Sequence, residues 1–243
     1  MNELVLDQKT VFITGASRRI GRALAVACAE AGADVIVHYA HSEALAEETR
    51  RLVVERGRRA WILQGDFSNP KDVARVADSA FALGPVHALV NNAAIFGPAG
   101  LAATGLDEWE HHMAINLTAP FLLSQSFGRT QVVAGGRIVN ILDWRALRPG
   151  ADHFAYTVSK AALAAMTQSL AQALGPNVSV NGLALGAILP PEDGLDDPGV
   201  LRRVPAGRWG TTDEVAQALL FLLGGPTYVT GEIIYVDGGR HLS

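Results

Sequence analysis

Short runs of apolar residues alternate with longer segments in which apolar positions recur at helical spacing. The short runs are rich in Val and Ile, which predicts β-strands. The predicted strands are Thr10–Ile13, Asp34–Tyr39, Ala60–Gln64, Ala88–Val90, Arg137–Leu142, Ser179–Leu185 and Glu232–Val236. Because most of these runs are short and nearly all apolar, we expect both faces of each strand to be covered, as crossover helices cover a parallel sheet.

The segments between the strands predict helices. These are Arg19–Ala31, Ser42–Glu55, Pro70–Phe81, Leu106–Phe127, Tyr156–Leu174 and Thr212–Leu223. Gly32 follows the first helix, and the spacing of Thr211 and Glu214 suits a capping box before the last. Alternating strands and helices predict an α/β fold: a Rossmann-type, doubly wound parallel sheet of about seven strands with helices on both faces.

The length of the chain favours a single domain over residues 1–243, because 243 residues that are 49% hydrophobic can bury one large core. The stretch Leu189–Val204 has the Pro and Gly content of a loop. Together with its flanks, at about 187–205, we interpret it as a substrate loop that could close as a mobile lid.

Charge and composition exclude several functions. A net charge of -4 and a pI near 6.0 argue against binding to nucleic acid or to an anionic membrane. No secretory signal or membrane span is visible, so we expect a cytoplasmic location. Cys28 is the only cysteine, and we interpret it as a core residue. No metal site is expected, since His111 and His112 lie on a helix whose acidic neighbours suit a solvated face.

A glycine-containing turn follows the first predicted strand. It reads Thr14-Gly15-Ala16-Ser17-Arg18-Arg19-Ile20-Gly21 and leads into a helix. Such a turn binds a dinucleotide pyrophosphate: Gly15 allows the sharp turn, Gly21 allows close approach, and the helix N–H groups face the phosphates. Alone, the pattern also fits an ordinary turn between a strand and a helix.

The end of the second predicted strand points to the cofactor. It reads Val37-His38-Tyr39-Ala40-His41-Ser42 and lacks the carboxylate that holds the ribose hydroxyl in NAD sites. Arg18 and Arg19 supply positive charge for a 2′-phosphate, with His41 and Ser42 as further donors, so the predicted cofactor is NADP(H). The alternative for the two arginines is a solvated surface pair.

Tyr156 and Lys160 are separated by one helical turn and therefore share one face of a helix. A nearby cation is expected to lower the pKa of the phenol, so that Tyr156 can exchange a proton while hydride moves. The pair comes after Asn91-Asn92-Ala93-Ala94 and before Asp237-Gly238-Gly239. With the glycine turn, these motifs resemble the short-chain dehydrogenase/reductase family over essentially the whole chain.

The resemblance implies roles for individual residues. Tyr156 would be the acid, Lys160 would also bind the nicotinamide ribose, and Asn116 would hold a water that links to Lys160. Asp66 would lie near the adenine and Asn91 beside the cofactor. The implied cofactor contacts are Gly15, Ser17, Arg18, Arg19, Ile20, Gly21, His38, Tyr39, His41, Ser42, Asp66, Phe67, Asn92, Ala93, Ala94, Lys160, Gly186 and Ile188.

Two departures from the usual family pattern narrow the resemblance. Arg19 stands where the family usually has glycine, and Asp143 stands where it has serine. Both resemble pteridine reductases and dihydromonapterin reductases, which also share a His-Tyr pair like His38-Tyr39. That resemblance implies that Phe96 stacks on a pterin, with Leu189 as a further substrate contact.

Other positions fit the subfamily less well. Leu185-Gly186 replaces the usual Pro-Gly, and Ala94 replaces a serine that contacts the pterin. Phe96 could also simply pack within its own loop.

Asp143 has a physical meaning of its own. A serine hydroxyl donates to a carbonyl oxygen that gains negative charge, whereas an ionised carboxylate repels it. Asp143 therefore suits reduction of a C=N bond, because a carboxylic acid can deliver a proton to a ring nitrogen directly, through Tyr156 or through water. It could also accept hydrogen bonds from an aminopyrimidine edge. The alternative is that Asp143 caps a loop or pairs with Arg145 or Arg148.

These observations give three functional hypotheses. The first is NADPH-dependent reduction of a pterin, the second is a carbonyl reductase acting on a 3-oxoacyl thioester or another ketone, and the third is a protein that senses NADP(H) without turnover. The family resemblance also implies a homotetramer packed through the helices at Leu106–Phe127 and Tyr156–Leu174, with residues 240–243 near a subunit boundary.

Overall fold

The fold is built on a single parallel sheet. The computed structural model describes residues 5–130, 135–190 and 198–243. The strands are β1 (Thr10–Ile13), β2 (Asp34–Tyr39), β3 (Ala60–Gln64), β4 (Ala88–Asn91), β5 (Gly136–Asp143), β6 (Val178–Leu185) and β7 (Ile233–Val236). They form one 7-stranded sheet in the order β3-β2-β1-β4-β5-β6-β7, and every neighbouring pair is parallel. The predicted doubly wound α/β sheet is confirmed.

The helices of the described residues cover both faces of this sheet. They are α1 (Arg19–Glu30), α2 (Glu43–Glu55), α3 (Pro70–Ala82), α4 (Leu106–Met113), α5 (Ala119–Thr130), α6 (Phe154–Leu174), α7 (Pro198–Leu201) and α8 (Thr212–Gly224). The capping box at the start of α8 forms as predicted, with the Thr211 side chain accepting from the Glu214 backbone.

One helix prediction needs correction. The segment Leu106–Phe127 is not a single α-helix, because α4 and α5 are joined by a π-helical segment at Ala114–Thr118. Hydrogen bonds in a π-helix span one more residue than those of an α-helix, and α5 then continues to Thr130.

The predicted substrate loop is only partly visible. Residues 191–197 lie outside the described part of the chain, so the lid hypothesis remains a prediction. In the described part of the predicted loop, α7 (Pro198–Leu201) is a short helix, although the loop composition predicted no helix there.

Alternating side chains of β1 enter two cores. Val11 and Ile13 pack with α1 and α8, whereas Phe12 packs on the opposite face with α3 and α5. Cys28 of α1 is fully buried, and burial raises the pKa of its thiol to about 12, as befits a core residue.

The strand order determines where a ligand-binding crevice can open at the edge of the sheet. The chain moves outward from β1 to β2 and β3 on one side, and from β4 to β7 on the other. Because the connections that follow β1 and β4 diverge, a crevice opens at the carboxyl ends of these two strands, where doubly wound folds bind ligands.

Candidate active site

The glycine turn after β1 is closed too tightly for a side chain at Gly15 or Gly21. Gly15 has a φ of +63°, and a Cβ atom there would lie 2.9 Å from the Cα atom of Ala93. A Cβ on Gly21 would lie 2.2 Å from the carbonyl oxygen of Gly15. The Asn92 side chain donates to the carbonyls of Thr14 and Gly15, at 2.8 and 3.1 Å. At these two positions the turn therefore presents backbone, rather than a side chain, near the start of α1.

His38 holds this turn from the side of β2. Its Nδ1 accepts from the Gly15 N–H at 3.1 Å, while its Nε2 lies 3.0 Å from the Gly65 carbonyl and its ring stacks on Phe67 at 3.8 Å. Burial lowers the pKa of His38 to about 4. The imidazole is therefore neutral, with its proton on Nε2, and it ties the turn to the end of β3.

A crevice of about 490 Å³ opens above the turn. Most of the predicted cofactor contacts line it: Gly15, Ser17, Arg18, Arg19, Ile20, Gly21, His38, Tyr39, His41, Ser42, Asp66, Phe67, Asn92, Ala93 and Ala94. Arg18 and Arg19 are exposed there, and an Arg19 Nη atom donates to the Pro190 carbonyl at 3.4 Å. The mouth of the crevice is therefore positively charged on the side of the glycine turn.

Asp66 shapes the opposite side of the crevice. Its carboxylate accepts from the Ser68 N–H at 2.9 Å, and this hydrogen bond is the main reason that its pKa is lowered. His111 also lines the crevice, although the sequence suggested only a solvated face for it. Its neighbour His112 is buried and accepts from the Gly97 N–H at 3.1 Å, so it supports the loop after β4.

Some predicted contacts lie elsewhere. Asn91 does not line the crevice, because its amide is buried and donates to Asn140 at 2.8 Å and to Ser124 at 3.3 Å. Its expected place beside the cofactor is therefore corrected to a structural role inside the sheet. Gly186 hydrogen-bonds to β7, and Ile188 and Leu189 pack on the core beside α1 and α8.

Tyr156 and Lys160 lie side by side on α6, and both are buried. The Lys160 ammonium donates to the Ile141 carbonyl at 2.7 Å and lies 5.9 Å from the centre of the Tyr156 ring. Burial lowers the pKa of Lys160 to about 8, against an opposing effect of Asp143. An ammonium group here can therefore lose its proton within the physiological range.

The Tyr156 hydroxyl donates to Asp143 Oδ2 at 3.2 Å. Burial, followed by the charge of Asp143 and this hydrogen bond, raises the pKa of Tyr156 well above its ordinary value. The expected lowering by a nearby cation is therefore corrected. In this arrangement the phenol keeps its proton and serves as a donor.

Asp143 makes contacts that fit both predictions for it, as a loop cap paired with an arginine and as a neighbour of the candidate acid. Its Oδ1 accepts from the Arg145 N–H at 2.8 Å and lies 3.6 Å from the Arg145 guanidinium, while its other oxygen accepts from Tyr156. Arg148 is not its partner, because the Arg148 guanidinium donates to the His241 carbonyl. Asp143 thus caps its loop and contacts the candidate acid at once.

Asn116 occupies the π-helical segment and is fully buried. Its side chain accepts from the Ile95 N–H at 2.9 Å and donates to the Ile95 carbonyl at 3.1 Å and to Ser159 Oγ at 3.0 Å. Asn116 therefore fixes the backbone next to Phe96 and joins it to α6. π-Helical turns are frequent at functional sites.

Phe96 is 57% exposed, in spite of two ring contacts. It stacks on His153 with ring centres 4.2 Å apart and meets the edge of Tyr156 at 4.7 Å. An exposed aromatic ring beside a candidate proton donor offers a surface for a flat substrate.

Within the described ranges, no group of His, Cys, Asp and Glu side chains is arranged to hold a metal ion. None of the helices in those same ranges has both the length and the apolar character needed to cross a membrane.

Comparison with known proteins places this site in a class. A family model described as enoyl-(acyl carrier protein) reductase matches residues 15–241. A curated protein of Picea abies named short-chain type dehydrogenase/reductase is 33% identical, over 97% of this chain and 93% of its own. The chain therefore belongs to the short-chain dehydrogenase/reductase family.

The activities named for individual relatives differ from one another. The 2-dehydro-3-deoxy-D-gluconate 5-dehydrogenase of Bacillus subtilis is 35% identical, over 96% of this chain and 95% of its own. A solved blue fluorescent protein from a metagenomic library, in complex with NADPH, is 36% identical with a TM-score of 0.91, covering 97% of this chain and 98% of its own. The solved FolM alternative dihydrofolate reductase 1 of Brucella canis, complexed with NADP, is 31% identical with a TM-score of 0.89, covering 100% and 97%.

Proposed function

We propose that this protein is an NADPH-dependent reductase of a pterin, which converts a dihydropteridine such as dihydrobiopterin, dihydromonapterin or dihydrofolate to the tetrahydro form. The observation that carries the proposal is the hydrogen bond from Tyr156 to Asp143. A carboxylate at this position disfavours a carbonyl oxygen that gains negative charge, and it favours a substrate that needs a proton on nitrogen.

The crevice fits NADP(H). A Cβ at Gly15 or Gly21 would collide with the backbone of Ala93 or Gly15, so only glycine lets the turn close tightly enough for its backbone N–H groups to approach a pyrophosphate. Arg18, Arg19 and His41 line the same crevice and suit a 2′-phosphate. Two similar solved proteins hold NADPH or NADP. When bound, this cofactor supplies the hydride, and Lys160 is the candidate partner of the nicotinamide ribose.

The residues of the chain supply the protons. Tyr156 keeps its phenolic proton and is hydrogen-bonded to a carboxylate that can share it. Proton transfer from this pair to a ring nitrogen balances the negative charge that hydride addition to the C=N carbon creates. Asp143 is also suited to accept hydrogen bonds from the aminopyrimidine edge of a pterin.

Phe96 supports a flat substrate. Its ring is exposed and contacts Tyr156, so a bicyclic ring stacked on Phe96 would lie beside the proton donor. Asn116 fixes the backbone next to Phe96 through two hydrogen bonds to Ile95. This holds the proposed stacking surface in place before the substrate arrives.

Oxidation of NADPH with dihydrobiopterin, dihydromonapterin and dihydrofolate tests the proposal. We expect turnover of at least one pterin that is lost in Tyr156→Phe, whereas Glu55→Gln, which alters an exposed ion pair on α2, leaves turnover unchanged. Absence of turnover with every pterin at micromolar enzyme would contradict the proposal.

A carbonyl reductase is the second candidate, and the names of curated relatives favour it. The 3-oxoacyl-[acyl-carrier-protein] reductase FabG of Aquifex aeolicus is 31% identical, over 98% of this chain and 99% of its own. In this case Asp143 would be protonated or bypassed, and Tyr156 alone would donate to the carbonyl oxygen. Turnover of a 3-oxoacyl thioester or another ketone, without turnover of a pterin, would select this function. Tight binding of NADPH without turnover of either class would instead indicate a sensor.

A further inference from the structure

Three side chains connect the two proposed substrate contacts, Asp143 and Phe96. These linking residues are Arg145, Asp152 and His153. Arg145 meets Asp143 through its backbone N–H and, at 3.6 Å, through its guanidinium. Its other Nη atom donates to Asp152 Oδ2 at 3.1 Å. The guanidinium therefore lies between two carboxylates.

The connection continues to the aromatic surface. Asp152 Oδ2 lies 3.0 Å from His153 Nδ1, and the His153 ring stacks on Phe96 at 4.2 Å with the ring planes 21° apart. Phe96 in turn meets the edge of Tyr156, which donates to Asp143. The contacts thus form a closed ring of six side chains, consisting of Asp143, Arg145, Asp152, His153, Phe96 and Tyr156.

Burial distinguishes this ring from an ordinary set of surface ion pairs. The side chains of Arg145, Asp143 and His153 are 13%, 15% and 19% exposed, whereas Asp152, at 56%, and Phe96, at 57%, lie at the surface. Burial alone would raise the pKa of Asp152, but the hydrogen bonds from Arg145 and His153 outweigh it, and the pKa is lowered. Partly buried charges with such partners resist rearrangement more than exposed pairs do.

The backbone of His153 has an unusual conformation. His153 precedes α6 with a φ of +50°, in the left-handed region that residues other than glycine seldom adopt. This conformation costs free energy, and it places the imidazole between Asp152 and Phe96. The contacts on both sides of the ring offset part of that cost.

We propose that Arg145, Asp152 and His153 are positioning residues that couple the position of Asp143, which accepts the hydrogen bond of the proton donor Tyr156, to the position of the aromatic substrate surface at Phe96. The proposal rests on the proposed function, because it assumes that substrate lies on Phe96. It goes further in assigning substrate specificity to residues outside the substrate contacts. Substitution of the linking residues should therefore change KM for a flat aromatic substrate that stacks on Phe96, whereas KM for a small aliphatic ketone should not change.

A double-mutant cycle between Asp152 and Phe96 tests the coupling. Asp152→Asn keeps the shape but removes the charge that holds Arg145 and His153. We expect Asp152→Asn and Phe96→Ala each to raise KM for a pterin by about fivefold to tenfold, with a smaller change in kcat, and the double variant to be no worse than Phe96→Ala. Multiplication of the two effects in the double variant would overturn the proposal.

A second variant separates the stack from the ion pair. Asn tolerates left-handed backbone better than most residues, so His153→Asn keeps the local conformation and a polar group near Asp152 while removing the stacking ring. We expect it to raise KM for the pterin as Asp152→Asn does. An unchanged KM in His153→Asn would contradict the proposed role of the stack.

A measurement without substrate distinguishes failure of the coupling from failure of the proposed function. The imidazole Cε1–H signal of His153, assigned by its loss in His153→Asn, is recorded by NMR in the otherwise unaltered protein and in Asp143→Asn. We expect Asp143→Asn to shift this signal, and the shift to vanish when Asp152→Asn is also present. A shift without pterin turnover would support the coupling and reject the pterin reaction, whereas pterin turnover without any shift would overturn the coupling alone.

Discussion

The Tyr156 hydroxyl donates to Asp143 at 3.2 Å, so the candidate acid of this protein is bonded to a carboxylate. In the proposed function, Tyr156 supplies the proton, and the Asp143 carboxylate stands where a serine hydroxyl would otherwise stabilise a carbonyl oxygen. The contact therefore bears on the choice of substrate as well as on the proton.

Replacement of Asp143 by serine should change that choice. In Asp143→Ser we expect pterin turnover to fall by at least about tenfold and ketone turnover to rise, because a hydroxyl can donate to a developing oxyanion. Both rates are followed by NADPH oxidation. Asp143→Asn is the matched control: it retains the shape without the carboxylate and should lose pterin turnover as Asp143→Ser does. Undiminished pterin turnover in both variants would remove Asp143 from the reaction.

Lys160 should set the alkaline limit of activity. Its pKa is lowered to about 8 by burial, so the ammonium form is lost as the pH rises through that value. We expect kcat/KM for NADPH-dependent reduction to be level below about pH 8 and to fall above it. Steady-state rates across the alkaline range check this. In Lys160→Arg, whose guanidinium stays charged, the residual activity should show no such fall.

His38 should make stability sensitive to acid. Its pKa is lowered from 6.5 to about 4 in the folded state. Between these two pH values, the imidazole is therefore protonated in the unfolded chain and neutral in the folded chain. Stability from this residue is therefore present above about pH 6.5 and is lost as the pH falls to about 4, by on the order of 3 kcal/mol. Urea unfolding near pH 7 and near pH 4.5 measures the loss. His38→Gln, which does not titrate, should lose less; an equal acid dependence in both proteins would exclude His38 as the cause.

Arg19 should favour NADPH over NADH. It lines the crevice in a left-handed conformation, with a φ of +49°, where glycine would be less strained. In Arg19→Gly we expect NADPH affinity to fall by about tenfold with little change for NADH, since one charge-assisted contact to phosphate is removed. Titration of cofactor fluorescence gives both affinities. Equal weakening of the two cofactors would assign Arg19 to the shape of the turn rather than to the phosphate.

The apolar surface of α4 and α5 should be covered in an oligomer. Leu106 is 68% exposed and Phe121 is 43% exposed. Exposed apolar side chains of this kind are typical of subunit interfaces, and the family resemblance implies a tetramer. Analytical ultracentrifugation should detect a tetramer, and Phe121→Glu should dissociate it. A monomer at every concentration would contradict this expectation.

Much of the fold could be predicted because its strands are covered on both faces. A strand such as β4 is buried along its whole length, and its short apolar run of Ala, Leu and Val predicts that burial directly. The glycine turn was equally visible, because only glycine fits at Gly15 and Gly21. These features depend on neighbours in sequence or on burial alone.

The features that the sequence did not reveal depend on contacts between distant segments. The tautomer of His38 is set by Gly15 on one side and Gly65 on the other, which become neighbours only when β1, β2 and β3 pair. Asp152 is a residue type that is common in loops, so the sequence gives no reason to single it out. Its contacts with Arg145 and His153 become apparent only in the folded structure. The raised pKa of Tyr156 likewise follows from its burial and from Asp143, rather than from its spacing to Lys160.

The π-helical segment at Ala114–Thr118 lets α5 keep its apolar face on the sheet although the chain carries an additional residue there. Each residue of an α-helix turns the chain by about 100°, whereas each residue of the wider π-helical turn turns it by less, so the side chains that follow keep nearly the same direction. If the segment closed into a regular α-helix with all of its residues, α5 would rotate, and Leu123 and Phe127, both now buried against the sheet, would swing away from the core. The wide turn therefore places Asn116 beside Ile95 without a phase error along α5.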